Sequence, residues 1–437
     1  MGIFKAYDVR GKYPSEIDER LAERLGAAVV RFLGARRIAV GRDVRLSAPS
    51  IAAAVARGAG CEVVDIGLST TPMLYFAVGH LELDGGIMVT ASHNPPEDIG
   101  FKICREKAFP VGEKTGLKEI ERLAAEAPAG GSRIVPRSLV SEYRSHLRRF
   151  LEKPPRLKIA VDTAHGAVGA HFDALFGDLP LEFVRLCFEP DGRFPSHEPN
   201  PLKDENVRDL QDAMRATGAD LGVAFDGDGD RCMFFSRGGE RVPSDLVTVL
   251  LARAELRRHP GAAVVYDLRS SRVVPEEIRK AGGVPVRERV GHAFIKETMK
   301  KHNAVLGGEL SGHYYFRDHF FADSGLMAFV KVLDLLGREG RPLEELLAPL
   351  RRWHSTGEIN FRVADKQAVL RAIAEAFRDG RQDTLDGITV EYDDWWFNVR
   401  PSNTEPLLRL NLEARTPEQL ERARARLLAL IGPPEHA

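Results

Sequence analysis

Short apolar runs that end in polar residues recur along most of the chain, and stretches with helical periodicity lie between them. After Asp18, a candidate helix cap, the residues at positions 21, 25, 28, 29 and 32 are apolar and share one helical face. Three of the strand-like runs end alike, in the segments IAVGRD, IAVDTAHG and VVYDLRSS. This weak repeat predicts three related, doubly wound α/β domains.

A different pattern begins near Ser355, where the order becomes strand, helix, three strands and a final helix that starts with a capping box at Thr416. It predicts a small α+β domain with an antiparallel sheet. Prolines near Pro154 and Pro260 mark further boundaries, so we expect four domains around a central cleft. Their predicted limits are 1–153, 154–258, 259–354 and 355–437.

Composition narrows the class of protein. The 437 residues are 43% hydrophobic and 29% charged with a formal net charge of -1, which is typical of globular proteins that bind neither nucleic acid nor an anionic membrane. The apolar runs are too short to cross a bilayer, and the first residues do not resemble a signal peptide. The four cysteines form no CxxC pair, so we expect reduced thiols and no zinc site. A cytoplasmic location is therefore expected. We further expect a monomer or a homodimer.

The segment GIMVTASHNPPEDIGFK, residues 86–102, places Ser92 just after an apolar strand. Ligands bind beyond the carboxyl ends of strands in α/β sheets, which favours a chemical role over a surface turn, the alternative that this segment alone leaves open. A hydrolase would need glycines two residues before and after the serine, where this chain has Thr90 and Asn94. The other common role is to carry a phosphoryl group, which requires a cation and basic residues.

Three aspartates at alternate positions, Asp226, Asp228 and Asp230, follow another apolar strand. The glycines between them let the backbone turn so that the carboxylates face one centre, and such oxygen ligands suit Mg²⁺. An EF-hand is excluded, because Arg231 and Arg237 occupy its glycine and glutamate positions. The alternative is a solvated acidic turn, although the adjacent Arg231 fits a site that also receives a phosphate.

Two more segments contain candidate ligand contacts. The turn after WWFNV is suited to hold an anion without reacting with it, unless it is only a polar hairpin turn. Its residues are Arg400, Ser402, Asn403, Thr404 and Arg409. Glu309, Ser311 and His313 alternate and would face one side of an extended chain, where they could bind a polyhydroxylated ligand. His292 is equally a candidate ligand contact and a candidate helix cap.

Taken in chain order, four motifs together resemble the α-D-phosphohexomutases, especially the bacterial phosphomannomutase/phosphoglucomutase group. The motifs are TASHNP at residues 90–95, DGDGDR at 226–231, GGELSGH at 307–313 and RPSNTEP at 400–406. The segments FKAYDVRGKYP at 4–14, in which we expect a turn at Arg10 and Gly11, and DGRFPSHEPNP at 191–201 are similar to that family too. The resemblance therefore spans essentially the whole chain.

The resemblance implies a phosphotransferase that interconverts hexose 1-phosphate and hexose 6-phosphate, of mannose, glucose or both. It implies a phosphorylated Ser92, a 1,6-bisphosphate intermediate, Mg²⁺ held by Ser92 and the three aspartates, and glucose 1,6-bisphosphate or its mannose analogue as activator. The implied catalytic residues are Ser92, His93, Lys102, Arg10, Arg231 and His313, of which Lys102 and His313 would move protons. The implied substrate-binding residues are Tyr7, Arg269, His292, Glu309, Ser311, Arg400, Ser402, Asn403, Thr404 and Arg409.

Two positions depart from the family pattern. Ile99 replaces the usual asparagine, which we expect to remove a polar side chain near Lys102, and Arg269 stands where lysine is common and has no accessible neutral form. Leu310 favours a hexose mutase over a phosphoglucosamine mutase, which is the alternative activity. A sugar-phosphate-binding regulator without catalysis is a third possibility, against which the intact Ser92 and aspartates argue.

Overall fold

The structure, a computed structural model, describes residues 2–5, 7–126, 130–402 and 407–435. Three α/β domains are followed by a domain with an antiparallel sheet, which confirms the predicted fold class. The predicted limits of the domains stay a prediction. Within the described ranges, no helix is both long and apolar enough to span a membrane.

The first domain is built on a mixed sheet. Its strands are β1 (Val9–Lys12), β2 (Arg37–Arg42), β3 (Glu62–Leu68), β4 (Gly85–Val89), β5 (Asp98–Arg105), β6 (Phe109–Pro110) and β7 (Arg133–Pro136). The helices of this part of the chain are α1 (Glu19–Leu33), α2 (Ala48–Gly58), α3 (Thr71–His80), α4 (Leu117–Glu126) and α5 (Val140–Arg148). The order of strands in the sheet is β1-β5-β4-β2-β3-β7, and β5 runs antiparallel to both of its neighbours. The strands β4, β2, β3 and β7 are parallel to one another. Asp18 caps α1 as predicted.

Two expectations about this sheet are wrong. Arg10 and Gly11 lie in β1 instead of a turn, because they pair with Gly100 and Ile99 of β5 in an antiparallel ladder. Ile99 is buried in the apolar core of the first domain. Because successive side chains of a strand point to opposite faces, Ile99 and Lys102 lie on different faces of β5. The isoleucine therefore removes no polar neighbour of Lys102.

The second and third sheets share one apolar core. Their strands are β8 (Lys158–Asp162), β9 (Glu182–Leu186), β10 (Leu221–Phe225) and β11 (Cys232–Phe235), then β12 (Ala263–Asp267), β13 (Val284–Glu288), β14 (Leu306–Gly308), β15 (Tyr314–Phe316) and β16 (Ala322–Asp323). Their helices are α6 (Ala167–Phe176), α7 (Arg208–Thr217), α8 (Ser244–Arg258), α9 (Val273–Lys280), α10 (His292–Lys301), α11 (Gly325–Glu339) and α12 (Leu343–Leu347). Phe329 of α11 packs edge-on against Phe225 of β10 and also contacts Phe172 of α6, so α11, which follows the third sheet in the chain, packs against the second domain.

The fourth domain has its own core and an antiparallel sheet. Its strands are β17 (His354–Phe361), β18 (Arg381–Asp383), β19 (Ile388–Glu391), β20 (Trp395–Pro401) and β21 (Leu408–Ala414). Its helices are α13 (Lys366–Ala376) and α14 (Pro417–Ile431). The predicted order of elements lacks the short, polar strand β18, whose sequence has no apolar alternation. Thr416 caps α14 as predicted, accepting a hydrogen bond from the Gln419 amide.

A buried histidine pair between α5 and the β15–β16 connection makes stability depend on pH. Arg149 donates to Nδ1 of His146, whose Nε2 then donates to Nδ1 of His319 over 3.1 Å, so this chain of bonds needs both imidazoles neutral. Burial lowers the pKa of His146 to about 2 and that of His319 to about 4.

We expect the free energy of unfolding to fall as the pH decreases from about 6.5 to about 4, by up to about 1.4 kcal/mol per pH unit for each histidine. The unfolded chain gains protons in this range and the folded chain does not. Urea denaturation across this pH range measures the slope. His146→Gln removes one such histidine, so its slope should be shallower, and an unchanged slope would contradict this account.

Candidate active site

Ser92 lies at the carboxyl end of β4, where the sequence predicts it. Its backbone is left-handed, with φ of 52°, and its amide donates to Oγ1 of Thr90 over 2.8 Å. The side chain is buried, and its Oγ lies 2.9 Å from Oδ2 of Asp226 and 3.2 Å from Nδ1 of His93. The fold thus brings the candidate nucleophile of the first domain against the acidic loop of the second.

The fully buried side chain of Arg45 holds the Ser92 loop in place. Its guanidinium donates to the backbone carbonyls of Ser92 over 3.0 Å, of Asn94 over 2.7 Å, and of residues 95 and 98. It also pairs with Asp43 at 3.2 Å, and Asp43 in turn accepts from Thr90 over 2.7 Å. The sequence analysis missed Arg45, for which the only signal was the polar tip GRD that precedes it.

The three aspartates of the acidic loop are buried and converge as predicted. One carboxylate oxygen from each of Asp226, Asp228 and Asp230 lies within 4.8 Å of the others. Gly229 has a left-handed φ of 72°, which allows the turn. Among the described residues, Oδ1 of Asp228 has no hydrogen-bond partner although it is buried. A buried, unpaired carboxylate oxygen among two more carboxylates fits a hard divalent cation.

Lys102 supplies positive charge to this loop. Its Nζ lies 2.6 Å from Oδ2 of Asp228 and also contacts Asp230. Burial alone would lower the pKa of Lys102, but the two carboxylates outweigh it and raise that pKa. Burial, then Asp230 and Asp228, raise the pKa of Asp226 well above its usual value. The crowding of three buried carboxylates therefore makes the ionised form of Asp226 costly.

Arg10 and Arg231 approach the nucleophile from two domains. Arg10 donates to Oδ1 of Asn94 over 2.7 Å and pairs with Asp8 at 2.7 Å, so it borders the Ser92 loop. The Nε of Arg231 lies 3.8 Å from Oδ2 of Asp226, the oxygen that also contacts Ser92. Both guanidinium groups thus stand where they could meet the charge of a phosphoryl group on Ser92.

The candidate sugar-binding side chains of the third domain come together, but by a different route from the predicted one. Glu309, Ser311 and His313 belong to a turn between β14 and β15, in which the Gly312 amide bonds to the Glu309 carbonyl. The expectation of an extended segment is wrong, because the two strands are antiparallel and the chain must reverse between them. His313 nevertheless contacts Oγ of Ser311 at 2.8 Å and Oδ1 of Asp230 at 3.3 Å.

The rings of Tyr7 and His292 contact each other near Glu309. Their rings meet edge to face, with centroids 5.3 Å apart, and the Gly291 amide before His292 donates to Glu309 over 3.0 Å. Burial, then the charge of Glu309, raise the pKa of Tyr7 to about 12. Gly291 occupies the N-cap position of α10 and His292 is the first residue of the helix, so His292 is not the helix cap.

The predicted anion-binding arginines converge on a carboxylate that the sequence analysis missed. Glu358 of β17 accepts from Arg400 over 2.8 Å and from Arg409 over 3.1 Å, and lies 3.7 Å from Arg269. Ser402 follows the last residue of β20, and its backbone amide donates to the carbonyl of residue 407. Asn403 and Thr404 lie outside the described residues. Arginines of the third and fourth domains therefore form one basic cluster.

Phosphoryl transfer needs a nucleophile, a place for a metal and groups that neutralise phosphate. The site provides a buried serine, a carboxylate cluster that could bind a cation, and a separate arginine cluster. The geometry thus defines a phosphotransferase site. The comparisons with known proteins agree with this class.

Family models match the chain nearly from end to end. They are described as phosphoglucomutase/phosphomannomutase, with alpha/beta/alpha domain I matching residues 1–129, domain II 141–239, domain III 243–352 and the C-terminal domain 358–430. The chain belongs to the phosphoglucomutase/phosphomannomutase family.

Individual relatives give the same result. The chain is 42% identical over 424 residues to "Phosphohexose mutases" of Xanthomonas campestris pv. campestris (strain B100), covering 94% of this chain and 95% of the relative. It is 40% identical over 451 residues to a phosphomannomutase of Escherichia coli, covering 98% of each. The crystal structure of a phosphoglucomutase/phosphomannomutase family protein from Burkholderia thailandensis superposes with a TM-score of 0.91 at 34% identity, covering 99% of this chain and 98% of that one. The protein is therefore a phosphotransferase of the mutase type.

Proposed function

We propose that this enzyme interconverts the 1-phosphate and 6-phosphate of glucose, mannose or both, through a phosphorylated Ser92 and a hexose 1,6-bisphosphate. The observation that carries the proposal is the 2.9 Å contact between Oγ of Ser92 and Asp226 within the three-carboxylate loop. In the forward direction, phosphoserine gives its phosphoryl group to the sugar's 6-hydroxyl, which loses its proton. The bisphosphate then reorients, and the Ser92 hydroxyl loses its proton and takes the phosphoryl group from the oxygen on carbon 1, which is protonated as it leaves.

Mg²⁺ fits this site, because Asp228 has a buried oxygen without a partner in the described part of the chain and because three buried carboxylates need a cation. We propose that Asp226, Asp228, Asp230 and an oxygen on Ser92 hold it. When bound, the ion would neutralise charge on the transferring phosphoryl group.

The chain's own residues would divide the remaining work. Arg10, Arg231 and His93 would bind the phosphoryl oxygens near Ser92, and Lys102 and His313 would hold or move the proton of the reacting hydroxyl. Substrate-binding residues would grip the sugar ring and the phosphate that does not react. These are Tyr7, Arg269, His292, Glu309, Ser311, Arg400, Ser402, Asn403, Thr404 and Arg409. Glucose 1,6-bisphosphate or its mannose analogue would activate the enzyme by phosphorylating Ser92.

The test is ³¹P NMR of the protein with Mg²⁺, a trace of the matching 1,6-bisphosphate, and glucose, mannose or glucosamine 1-phosphate in turn. We expect conversion of the glucose or mannose compound, or of both, to the 6-phosphate. Conversion of glucosamine 1-phosphate alone would instead establish the phosphoglucosamine mutase. Binding of a phosphosugar without turnover of any of the three would support the non-catalytic regulator.

Asp228→Asn is expected to weaken Mg²⁺ binding by about tenfold or more, because it removes a charged ligand from a buried site. A metal that binds the folded state raises the melting temperature, so Mg²⁺ should raise that of the parent protein more than that of the variant. Asp212→Asn is the matched control, since Asp212 is exposed and pairs with Arg215 on α7. Equal Mg²⁺-induced shifts in the two variants would contradict the assignment.

A further inference from the structure

Glu358 occupies the centre of the basic cluster in which a phosphate is expected to bind. Its Oε2 receives Arg400 at 2.8 Å and faces Arg269 at 3.7 Å, while its Oε1 receives Arg409 at 3.1 Å. Two carboxylate oxygens shared among arginines reproduce the way in which guanidinium groups hold phosphate oxygens. A side chain of the protein thus makes the contacts that a bound phosphate would make.

The charge of the cluster depends on this carboxylate. Arg400 is almost fully buried, and burial together with the neighbouring Arg269 lowers its pKa. Arg269 already has a counterion, because its guanidinium forms a fork with the buried carboxylate of Asp267 at 2.9 and 3.0 Å. Glu358 contacts both Arg400 and Arg409, so it offsets positive charge that is crowded in a poorly solvated place.

We propose that Glu358 is a resident counter-anion, which the unreactive phosphate of the substrate must displace from Arg400 and Arg409. Binding then exchanges one anion for another, so the net gain in free energy is smaller than it would be for the same arginines without a resident carboxylate. Glu358 is also partly exposed, with 26% of its side chain accessible, and can therefore swing away into solvent. It thus acts as a positioning residue that limits the affinity of the arginine cluster for phosphate.

This inference rests on the proposed function, in which a moderate affinity of the arginine cluster for phosphate is an advantage. The bisphosphate must leave the arginine cluster once in each cycle so that its two phosphates can exchange places. A grip that binds a phosphate too tightly would hold the ground state and slow this step without helping the chemistry. The returning carboxylate of Glu358 would stabilise the empty cluster and so favour release.

Glu358→Gln tests the proposal, because glutamine keeps the shape and removes the charge. In a Ser92→Ala background, which prevents turnover, we expect the variant to bind glucose 1-phosphate and inorganic phosphate about three- to tenfold more tightly by calorimetry. With Ser92 intact, KM and kcat should both fall, since release of the phosphate slows. Glu421→Gln, which removes an exposed carboxylate paired with Arg424 on α14, is the control and should change neither affinity.

The opposite result would overturn the proposal. If Glu358 only holds the arginines in position, its loss should weaken phosphate binding and raise KM. Unchanged affinity would also contradict the exchange of anions. Calorimetry with inorganic phosphate does not depend on turnover, so it separates this inference from the proposed function: a parent protein that converts no hexose phosphate could still show tighter phosphate binding in the variant.

Discussion

Replacement of Ser92 by alanine is expected to lower the rate of hexose phosphate interconversion by roughly 10⁴-fold or more. Its hydroxyl is the candidate acceptor that lies 2.9 Å from the acidic loop, and no described residue offers a second hydroxyl at the end of β4 beyond Thr90, which is committed to Asp43. The fold should survive, because only one oxygen is removed. Steady-state assays with saturating Mg²⁺ and 1,6-bisphosphate measure the effect.

Ser145→Ala provides the comparison for this change. The Ser145 hydroxyl donates to a backbone carbonyl within α5, and we expect the parent rate. Calorimetry with glucose 1-phosphate should detect binding to Ser92→Ala, which shows that the site is intact. A variant that lacks the Ser92 hydroxyl and still turns over within tenfold of the parent would refute the role of the serine as phosphoryl carrier.

Arg45→Leu is expected to destabilise the protein by about 3–5 kcal/mol and to abolish most of the activity. The substitution leaves the carboxylate of Asp43 buried without its cation and removes donors from the carbonyls of the Ser92 loop. Burial already raises the pKa of Asp43, which indicates how costly its charge is without Arg45. Urea denaturation at neutral pH gives the change in the free energy of unfolding.

The matched control is Arg57→Leu, which breaks an exposed ion pair with Glu23 on the same domain. Surface pairs contribute about 0–1 kcal/mol, so this variant should unfold nearly like the parent and keep its activity. If Arg45→Leu behaved in the same way, the buried network would not be what holds the Ser92 loop.

Much of the candidate site could be predicted because its residues follow apolar strands. Ser92 and Asp226 stand at the ends of β4 and β10, and strand ends are recognisable from local sequence. The spacing of the aspartates and the intervening glycines also predicted their convergence, which depends on one short turn. The resemblance to a family came from several such local motifs in the correct order.

The parts that sequence did not predict depend on contacts between distant residues. Arg45 and Ser92 are 47 positions apart in the sequence, and Glu358 and Arg400 are 42 positions apart. No local sequence pattern could therefore predict either contact. The face on which Ile99 lies follows from the register of β5 with β1, which the sequence leaves open. The resemblance implied that Lys102 acts on a hydroxyl. Its contact with Asp228 could not be predicted, because it depends on how the second domain packs against the first.

The central claim is that phosphate passes through Ser92, and a single turnover measures this most directly. Phosphorylated enzyme in excess is mixed with Mg²⁺ and glucose 1-phosphate labelled with ³²P, or with the mannose compound if that is the substrate. The account predicts an unlabelled 6-phosphate product and label on the peptide that contains Ser92. Label that stays on the sugar 6-phosphate, with none on that peptide, would contradict it.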